Sequence, residues 1–273
     1  MERALLQALC ESDPVRKCER VAALRVEHAL SALAPTAKEQ MHIPGRPLLP
    51  QLVNPRAVPH RGLGTAEGRA AMAHAVAHIE FNAINLALDA ALRFRGMPED
   101  YYADWISVAQ DEARHFAMLS ARLMQMGWAY GEFAAHNGLW EAAEKTAHDV
   151  LERMALVPRV LEARGLDVTP NMILRLEEVG DPQTAAVLRV ILHEEVRHVA
   201  IGTRWFHHLC ALRALEPVAT FRKLIAGHRV RLQTPFNWEA RLKAGFDPLE
   251  LALDRVNEGE EMTPSQAGRT VAP

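Results

Sequence analysis

The chain has 273 residues, of which 49% are hydrophobic and 24% are charged, and its formal net charge is −3 with histidine neutral. These values are ordinary for a soluble globular protein, and the small net charge excludes a global field that favours nucleic acid or an anionic membrane. Three cysteines without a Cys-x-x-Cys pair argue against a disulfide framework. Since we find no signal-peptide core and no run of ~18 apolar residues, we expect a cytoplasmic protein without a membrane span.

The N-terminal quarter is predicted to be two helices followed by a loop. Residues 2–11 have a helical pattern, and Asp13-Pro14, an N-cap followed by proline, predicts a second helix over about 14–34. Residues 42–64 contain five prolines and are predicted to be loop. A loop of this length lies over the surface of a compact domain, so we expect residues 1–64 to pack on the rest of the chain.

The remainder is predicted to be helical, with no credible strand pattern, so the fold class is all-α. Long helices are predicted at about residues 65–95, 98–126, 139–164 and 182–214. Shorter helices are predicted at about 170–179, 216–233 and 237–245, and the tail after about residue 258 is expected to be disordered. We divide the chain into N-terminal helices and loop (1–64), a central bundle (65–235), and a short C-terminal helix with a flexible tail (236–273).

Two copies of one motif lie in these helices. The motif is acid-Glu-x-Arg-His, and it occurs as Asp111-Glu112-Ala113-Arg114-His115 and as Glu194-Glu195-Val196-Arg197-His198. Residues three apart lie on one helix face, so each Glu and its His point the same way. A Glu-x-x-His pair on each of two helices, with one Glu from each of two others, is the ligand set of di-iron and di-manganese bundles.

Glu80 and Glu162 are the predicted single glutamates. Glu80 to Glu112 is 32 residues and Glu162 to Glu195 is 33, so the second half repeats the first with one extra residue. Glu152 and Glu144 are alternatives to Glu162 on the same predicted helix, although spacing favours Glu162. Glu162 and Glu195 fall level only if residues 170–179 continue the helix past Gly165, so we expect a kink or interruption beside Glu162.

Charge balance indicates which metals these six residues suit. Four carboxylates and two neutral imidazoles carry −4, which matches two divalent ions. Hard oxygen ligands with some imidazole favour iron or manganese over zinc, so we expect Fe/Fe or Mn/Fe. We assign Asp111, Glu194, Arg114 and Arg197 to the surrounding shell, with Asp111 serving His198 and Glu194 serving His115 across the bundle. His74 and His78 are interpreted as polar-face or core histidines. A lone Glu-x-x-His is usually a solvated helix face, and only the repetition outweighs that interpretation.

These motifs resemble a known family. The stretches His78-Ile79-Glu80, Phe94-Arg95-Gly96-Met97-Pro98, His136-Asn137-Gly138-Leu139-Trp140-Glu141 and Leu161-Glu162-Ala163-Arg164-Gly165, with the two acid-Glu-x-Arg-His motifs, resemble the ferritin-like superfamily and more closely the family called domain of unknown function 455. The acid-Glu-x-Arg-His signature is also similar to that of bacterial di-iron monooxygenases. The resemblance implies a ferritin-like four-helix bundle with additional N- and C-terminal helices and a di-iron or mixed-metal site. It implies no substrate.

Several functions fit this pattern. The first is an O2-dependent oxidase or hydroxylase of a small organic substrate, with an external electron donor. Ferroxidase or iron storage is the alternative, although the ~65 extra N-terminal residues would crowd a shell, so we expect a monomer or dimer. A distant likeness to a di-iron hydroxylase of a tRNA base keeps RNA open, as does the predicted basic helix with Arg222, Lys223, His228, Arg229 and Arg231. A metal-free structural protein is the remaining alternative.

Two loops are candidates for closing a substrate pocket. They are residues 42–64 and 127–139, and the second contains Trp128, Tyr130, Phe133 and His136. These side chains could line a substrate entrance, or they could pack the end of the bundle.

Overall fold

The computed structural model describes residues 1–25 and 43–252. The α-helices within these ranges are α1 (Glu2–Cys10), α2 (Pro14–Ala22), α3 (Ala66–Arg93), α4 (Glu99–Gln125), α5 (Gly138–Lys145), α6 (Val150–Leu156), α7 (Ala163–Glu178), α8 (Pro182–Leu212), α9 (Pro217–Gly227), α10 (Trp238–Lys243) and α11 (Pro248–Leu251). A π-helical turn, Val157–Glu162, joins α6 to α7. No strand forms in the described ranges, so the predicted all-α class is confirmed.

Helices α3 and α4 form an antiparallel hairpin at the centre of the fold. Every residue from 81 to 90 of α3 is buried, so this helix is surrounded on all sides. The chain reverses at Gly96, whose φ of 76° suits glycine. Tyr102 braces the turn, since its hydroxyl donates to the Phe94 carbonyl and accepts from the Met97 N–H.

A second antiparallel pair, α7 and α8, packs beside the first. Asp181 caps α8 by accepting a hydrogen bond from the Thr184 N–H. Arg153 of α6 reaches across to Asp89 of α3, with 2.7 Å between Nη1 and Oδ2. Helices α3, α4, α8 and the rod formed by α6, the π-turn and α7 are therefore packed as a helical bundle. Among the described residues, no helix is both long and apolar enough to cross a membrane.

The N-terminal helices rest on the outer side of the α3–α4 hairpin. Lys17 is fully buried, and its Nζ donates to the carbonyls of Ala8 and Leu9 and to Asn85 Oδ1 of α3. Because a buried ammonium needs such acceptors, this contact closes the end of α1 against α3.

Some predicted helix boundaries are wrong. The second helix ends at Ala22 rather than near 34, and residues 26–34 of that prediction lie outside the described residues, as does the tail after 258. The predicted helix over 216–233 ends at Gly227, because Arg229 adopts a left-handed φ of 53° that a helix does not accommodate.

The predicted helix over 139–164 is also wrong in two respects. It is interrupted at residues 146–149, where Asp149 caps a new helix by accepting from the Leu151 N–H at 2.6 Å. It does not end at Gly165, because α7 continues through Gly165 and Pro170. Proline removes the hydrogen bond to the carbonyl four residues back, and that carbonyl, of Leu166, instead accepts from Asn237 Nδ2 at 3.1 Å.

The expected interruption beside Glu162 is present as the π-turn. Gly202 of α8 makes room for it, since a Cβ at that position would lie 2.3 Å from Pro158 Cβ. A π-turn inserts an extra residue into a helix and rotates the side chains that follow it. The close contact at Gly202 therefore sets the position from which Glu162 projects.

We expect Gly202→Ala to destabilise the protein by about 1–3 kcal/mol, because the proline ring cannot move away from the added methyl without shifting the π-turn. Gly165→Ala is the matched control, because an added Cβ there would meet no atom within 4 Å and the helix interior favours alanine by ~0.5–1 kcal/mol. Urea unfolding of the two full-length variants measures both effects. Equal unfolding free energies would show that the contact is not tight.

Candidate metal centre

Four of the predicted ligands form one tight, buried group. Glu80 of α3, Glu112 and His115 of α4, and Glu195 of α8 each offer an atom within 4.8 Å of the others. His115 Nδ1 lies 3.2 Å from Glu80 Oε2, 3.3 Å from Glu112 Oε2 and 3.7 Å from Glu195 Oε1. None of the four is more than 9% exposed. Three carboxylates around one imidazole could hold a metal ion.

His198 and Glu162 lie beside this group. His198 is fully buried, and its Nδ1 lies 3.0 Å from Glu112 Oε1 and 3.3 Å from Glu195 Oε1. Glu112 therefore lies between the two imidazoles, with one oxygen toward each. Glu162 is half-buried and outside the group of four, but the charges of Glu195, Glu112 and His198 all act on it.

The outer nitrogen of each histidine is held crosswise from the opposite motif. His115 Nε2 lies 2.6 Å from Glu194 Oε2, and His198 Nε2 lies 3.1 Å from Asp111 Oδ2. These are the pairings expected from the sequence. They fix the orientation of both rings, so that each Nδ1 faces the carboxylates.

Two arginines cover this arrangement at the surface. Arg114 donates to Asp111 Oδ1 at 2.8 Å and also to Glu194, and Arg197 donates to Asp111. Both arginine side chains are about half exposed, whereas Asp111 and Glu194 are mostly covered. The arginines neutralise the carboxylates of Asp111 and Glu194. They do not balance the negative charge of the four inner glutamates, which are Glu80, Glu112, Glu162 and Glu195.

Three of the four inner glutamates, Glu80, Glu162 and Glu195, bind protons more tightly than ordinary glutamates, whereas His198 and His115 outweigh the effect of burial and hold the pKa of Glu112 below its ordinary value. Burial and the negative charges of Glu195 and Glu112 raise the pKa of Glu162 to about 8. Burial and the charge of Glu112 also raise the pKa of Glu80 well above its ordinary value, and the same causes raise that of Glu195. Carboxylates that repel one another in a dry site take up protons unless a cation is present.

The histidines respond in the complementary way. Burial alone would lower the pKa of His115, but hydrogen bonds to Glu112 and Glu80 outweigh it and raise the pKa to about 11. Burial likewise opposes the charge of His198, yet Glu195 and Glu112 raise its pKa well above the ordinary value. The site as built therefore attracts positive charge, which protons supply when no metal ion does.

We expect the contribution of the inner glutamates to the unfolding free energy of the metal-free protein to fall between about pH 5 and about pH 8. The pKa of Glu162 is 4.5 in the unfolded chain and about 8 in the folded protein. The stabilisation linked to its protonation is therefore complete below pH 4.5 and is lost as the pH rises through 8. Raised pKa values at Glu80 and Glu195 act in the same direction. Urea unfolding in the presence of a chelator measures the slope, which Glu162→Gln should reduce and the exposed control Glu178→Gln should not. A slope unchanged in Glu162→Gln would contradict this.

The residues present fit a metal ion. Glu162 Oε2 is buried without a hydrogen-bond partner, and such an atom is costly to bury unless an ion coordinates it. The donor set is carboxylate oxygen and imidazole nitrogen without thiolate.

Comparison with known families places this chain in one of them. Residues 10–252 match the family described as Protein of unknown function (DUF455). The chain belongs to that family. A DUF455 resemblance was expected from the motifs and is confirmed. An uncharacterized protein of Haemophilus influenzae (strain ATCC 51907 / DSM 11121 / KW20 / Rd) is 45% identical over 235 residues, which is 83% of this chain and 81% of the relative. No solved structure matches the chain significantly.

Other predicted residues of this DUF455 chain are placed less centrally. Among the loop aromatics, Tyr130 lines a cavity, whereas Trp128 and Phe133 pack on each other with ring centroids 5.0 Å apart. His74 and His78 are buried, as interpreted. The predicted basic residues do not lie on one helix, because α9 ends at Gly227. Two of them are also engaged within the chain: Arg222 donates to the Leu249 carbonyl, and His228 pairs with Glu152 at 2.8 Å.

Sequence reasoning missed two features. One is Arg46, which lines the same cavity as Tyr130 but lies in an aperiodic loop that offers no pattern. The other is the pair of Arg159 and Glu250, fully buried with 2.5 Å between Nη2 and Oε2.

Proposed function

We propose that the chain is a non-haem di-iron, or manganese–iron, carboxylate protein built on a ferritin-like bundle, and that it is an O2-dependent oxidase or hydroxylase of an organic substrate. The observation that carries this proposal is the position of Glu112, buried between His115 and His198 with one oxygen toward each ring. A carboxylate so placed belongs to two neighbouring sites, and the repeated motifs supply one imidazole to each.

Each ligand has a role that follows from its position. Glu80, Glu112, His115, Glu195 and His198 would hold the ions, with Glu162 as a sixth ligand at the π-turn. Asp111 and Glu194 would keep each His Nε2 protonated, so that Nδ1 is free to bind. Because Glu162 is half-buried and has an unpartnered oxygen, it is the carboxylate with most freedom to change its position.

An iron or manganese–iron pair would supply the redox chemistry toward O2 that no side chain supplies. The protein would contribute a dry environment, because Val108, Phe116 and Val199 beside the motifs are all buried. An external electron donor would complete the cycle, and a small organic molecule would be the substrate.

Iron handling is the alternative to test against. The N-terminal helices cover the outer side of the α3–α4 hairpin through Lys17 and through Gln110, whose Nε2 donates to the carbonyls of Val21 and Leu24. Such covering is unnecessary in a storage shell, and it favours an enzyme that is a monomer or dimer. RNA as the substrate has less support, since Arg222 and His228 are engaged within the chain.

Metal analysis combined with gel filtration tests the proposal. Protein loaded anaerobically with ferrous iron and desalted should retain about two ions per chain and elute as a monomer or dimer. It should consume O2 once per reduction cycle without accumulating iron. A large assembly that accumulates many ions per chain would instead support storage, and protein that retains no iron or manganese would overturn the metal assignment.

A further inference from the structure

A cavity of about 370 Å³ lies between helix α3 and the proline-rich loop. Its lining is Ile43, Pro44, Arg46, Pro47, Leu48, Pro50, Leu52, His78, Phe81 and Tyr130. A volume above about 300 Å³ is within the range of sites for small organic ligands.

The two loops that enclose the cavity are fastened to each other. The Val53 N–H donates to the Ala135 carbonyl at 2.8 Å, and the Ala135 N–H donates to the Gln51 carbonyl at 3.0 Å. Arg46 Nη1 donates to Asn137 Oδ1 at 2.8 Å, which is a third link between them. Prolines restrict the backbone of the first loop further, so the cavity is preformed.

The side chains that line the cavity are apolar except those of Arg46, His78 and Tyr130, and Arg46 is the only formally charged residue of the lining. No carboxylate of the described residues pairs with Arg46. His78 is engaged within the chain, since its Nδ1 lies 2.9 Å from the Tyr130 hydroxyl and its Nε2 lies 3.1 Å from the His136 carbonyl. A half-buried guanidinium without a carboxylate partner and with spare N–H groups favours a single organic anion.

An aromatic layer beside the cavity is formed by residues next in sequence to two predicted metal ligands. Phe81 and Tyr130 line the cavity, and Phe116 packs on both, with ring centroids 5.4 Å and 4.9 Å apart. Phe81 directly follows Glu80, and Phe116 directly follows His115. An organic molecule bound against Phe81 and Tyr130 would therefore lie next to aromatic side chains whose sequence neighbours, Glu80 and His115, are predicted metal ligands.

We propose that this cavity is the substrate site, and that its substrate class is a small apolar carboxylic acid whose carboxylate pairs with Arg46 while its body packs on Phe81, Tyr130 and Leu52. The assignment of the ligand as substrate rests on the proposed function. Binding of the acid itself does not, since no lining residue is a predicted metal ligand.

Fluorescence titration of full-length protein with 2-naphthoate and with 2-naphthamide tests the proposal. The two probes share a shape, and only the first carries a charge. We expect saturable binding of naphthoate at least about tenfold tighter than that of naphthamide, because only the carboxylate forms a charge-assisted pair. Absence of saturable naphthoate binding, or equal affinity for both probes, would overturn it.

Variants locate the site. Arg46→Gln should reduce naphthoate affinity to that of naphthamide, whereas Arg56→Gln, an exposed arginine of the same loop outside the lining, should leave it unchanged. Leu52→Trp, which fills the cavity from its rim, should weaken both probes and keeps the test valid if Arg46→Gln unfolds. Naphthoate titration of protein that has been loaded with iron and desalted separates the two proposals. If that protein binds naphthoate but has retained no metal, the cavity proposal is supported and the proposed function is overturned.

Discussion

Replacing Glu112 with glutamine should abolish metal binding at both predicted sites. Its Oε2 lies 3.3 Å from His115 Nδ1 and its Oε1 lies 3.0 Å from His198 Nδ1, so one substitution removes a negative ligand from each ion. The side chain is fully buried, and glutamine keeps its shape. We expect retained iron to fall from about two ions per chain to well below one, because an uncharged amide cannot balance a divalent cation in a dry site.

The measurement is elemental analysis of full-length protein loaded anaerobically with ferrous iron and then desalted. Glu178→Gln, an exposed glutamate of α7, is the matched control and should retain the full content. Circular dichroism must show that Glu112→Gln remains helical. If folded Glu112→Gln retains both ions, Glu112 does not belong to the metal site, and the proposed function loses its main support.

Arg159→Met should cost about 3–5 kcal/mol of unfolding free energy, the usual penalty for leaving one member of a buried ion pair alone. The Arg159 guanidinium lies 4.4 Å from the ring centroids of Phe206 and Phe221 and 4.6 Å from that of Phe246. Glu250 is its carboxylate partner and is itself fully buried. Removal of the cation leaves the Glu250 carboxylate buried without a charged partner, although Oε2 still accepts from the Asp247 N–H at 3.0 Å.

The double variant Arg159→Met, Glu250→Gln distinguishes the charge effect from lost packing. It should recover much of the loss, because neither charge is then buried alone. Arg189→Met, at an exposed pair with Glu177, is the control and should cost no more than about 1 kcal/mol. Urea unfolding of the four proteins measures these values. A single-variant cost close to that of the control would show that the pair is solvated.

Arg159 also connects the end of the described chain to the metal centre. It lies within the π-turn, three residues before Glu162, and its Glu250 partner belongs to α11. Together with Gly202 against Pro158, this pair determines how the π-turn packs. Metal content of Arg159→Met measured alongside its stability would show whether that packing also matters for Glu162.

The sequence by itself determined the helices and the pairing of the two motifs. Helix faces follow from a period of 3.6 residues. The shared face of Glu112 and His115, and that of Glu195 and His198, are therefore set by the local sequence. The spacing of 32 and 33 residues to Glu80 and Glu162 follows from helices of equal length joined by short turns. The crosswise contacts of Asp111 and Glu194 join residues distant in sequence, and it was the repeat of the motif on two helices that predicted them.

Only the tertiary structure decided the features that depend on residues distant in sequence. The helix passes through Pro170 because Asn237, 67 residues later, satisfies the freed Leu166 carbonyl. Burial of Arg159 requires three rings and a carboxylate from other helices. The cavity beside His78 exists because two loops without periodicity pair at Ala135. Periodicity encodes which face of a helix is buried, but it carries no information about which distant group meets a backbone carbonyl or a buried charge.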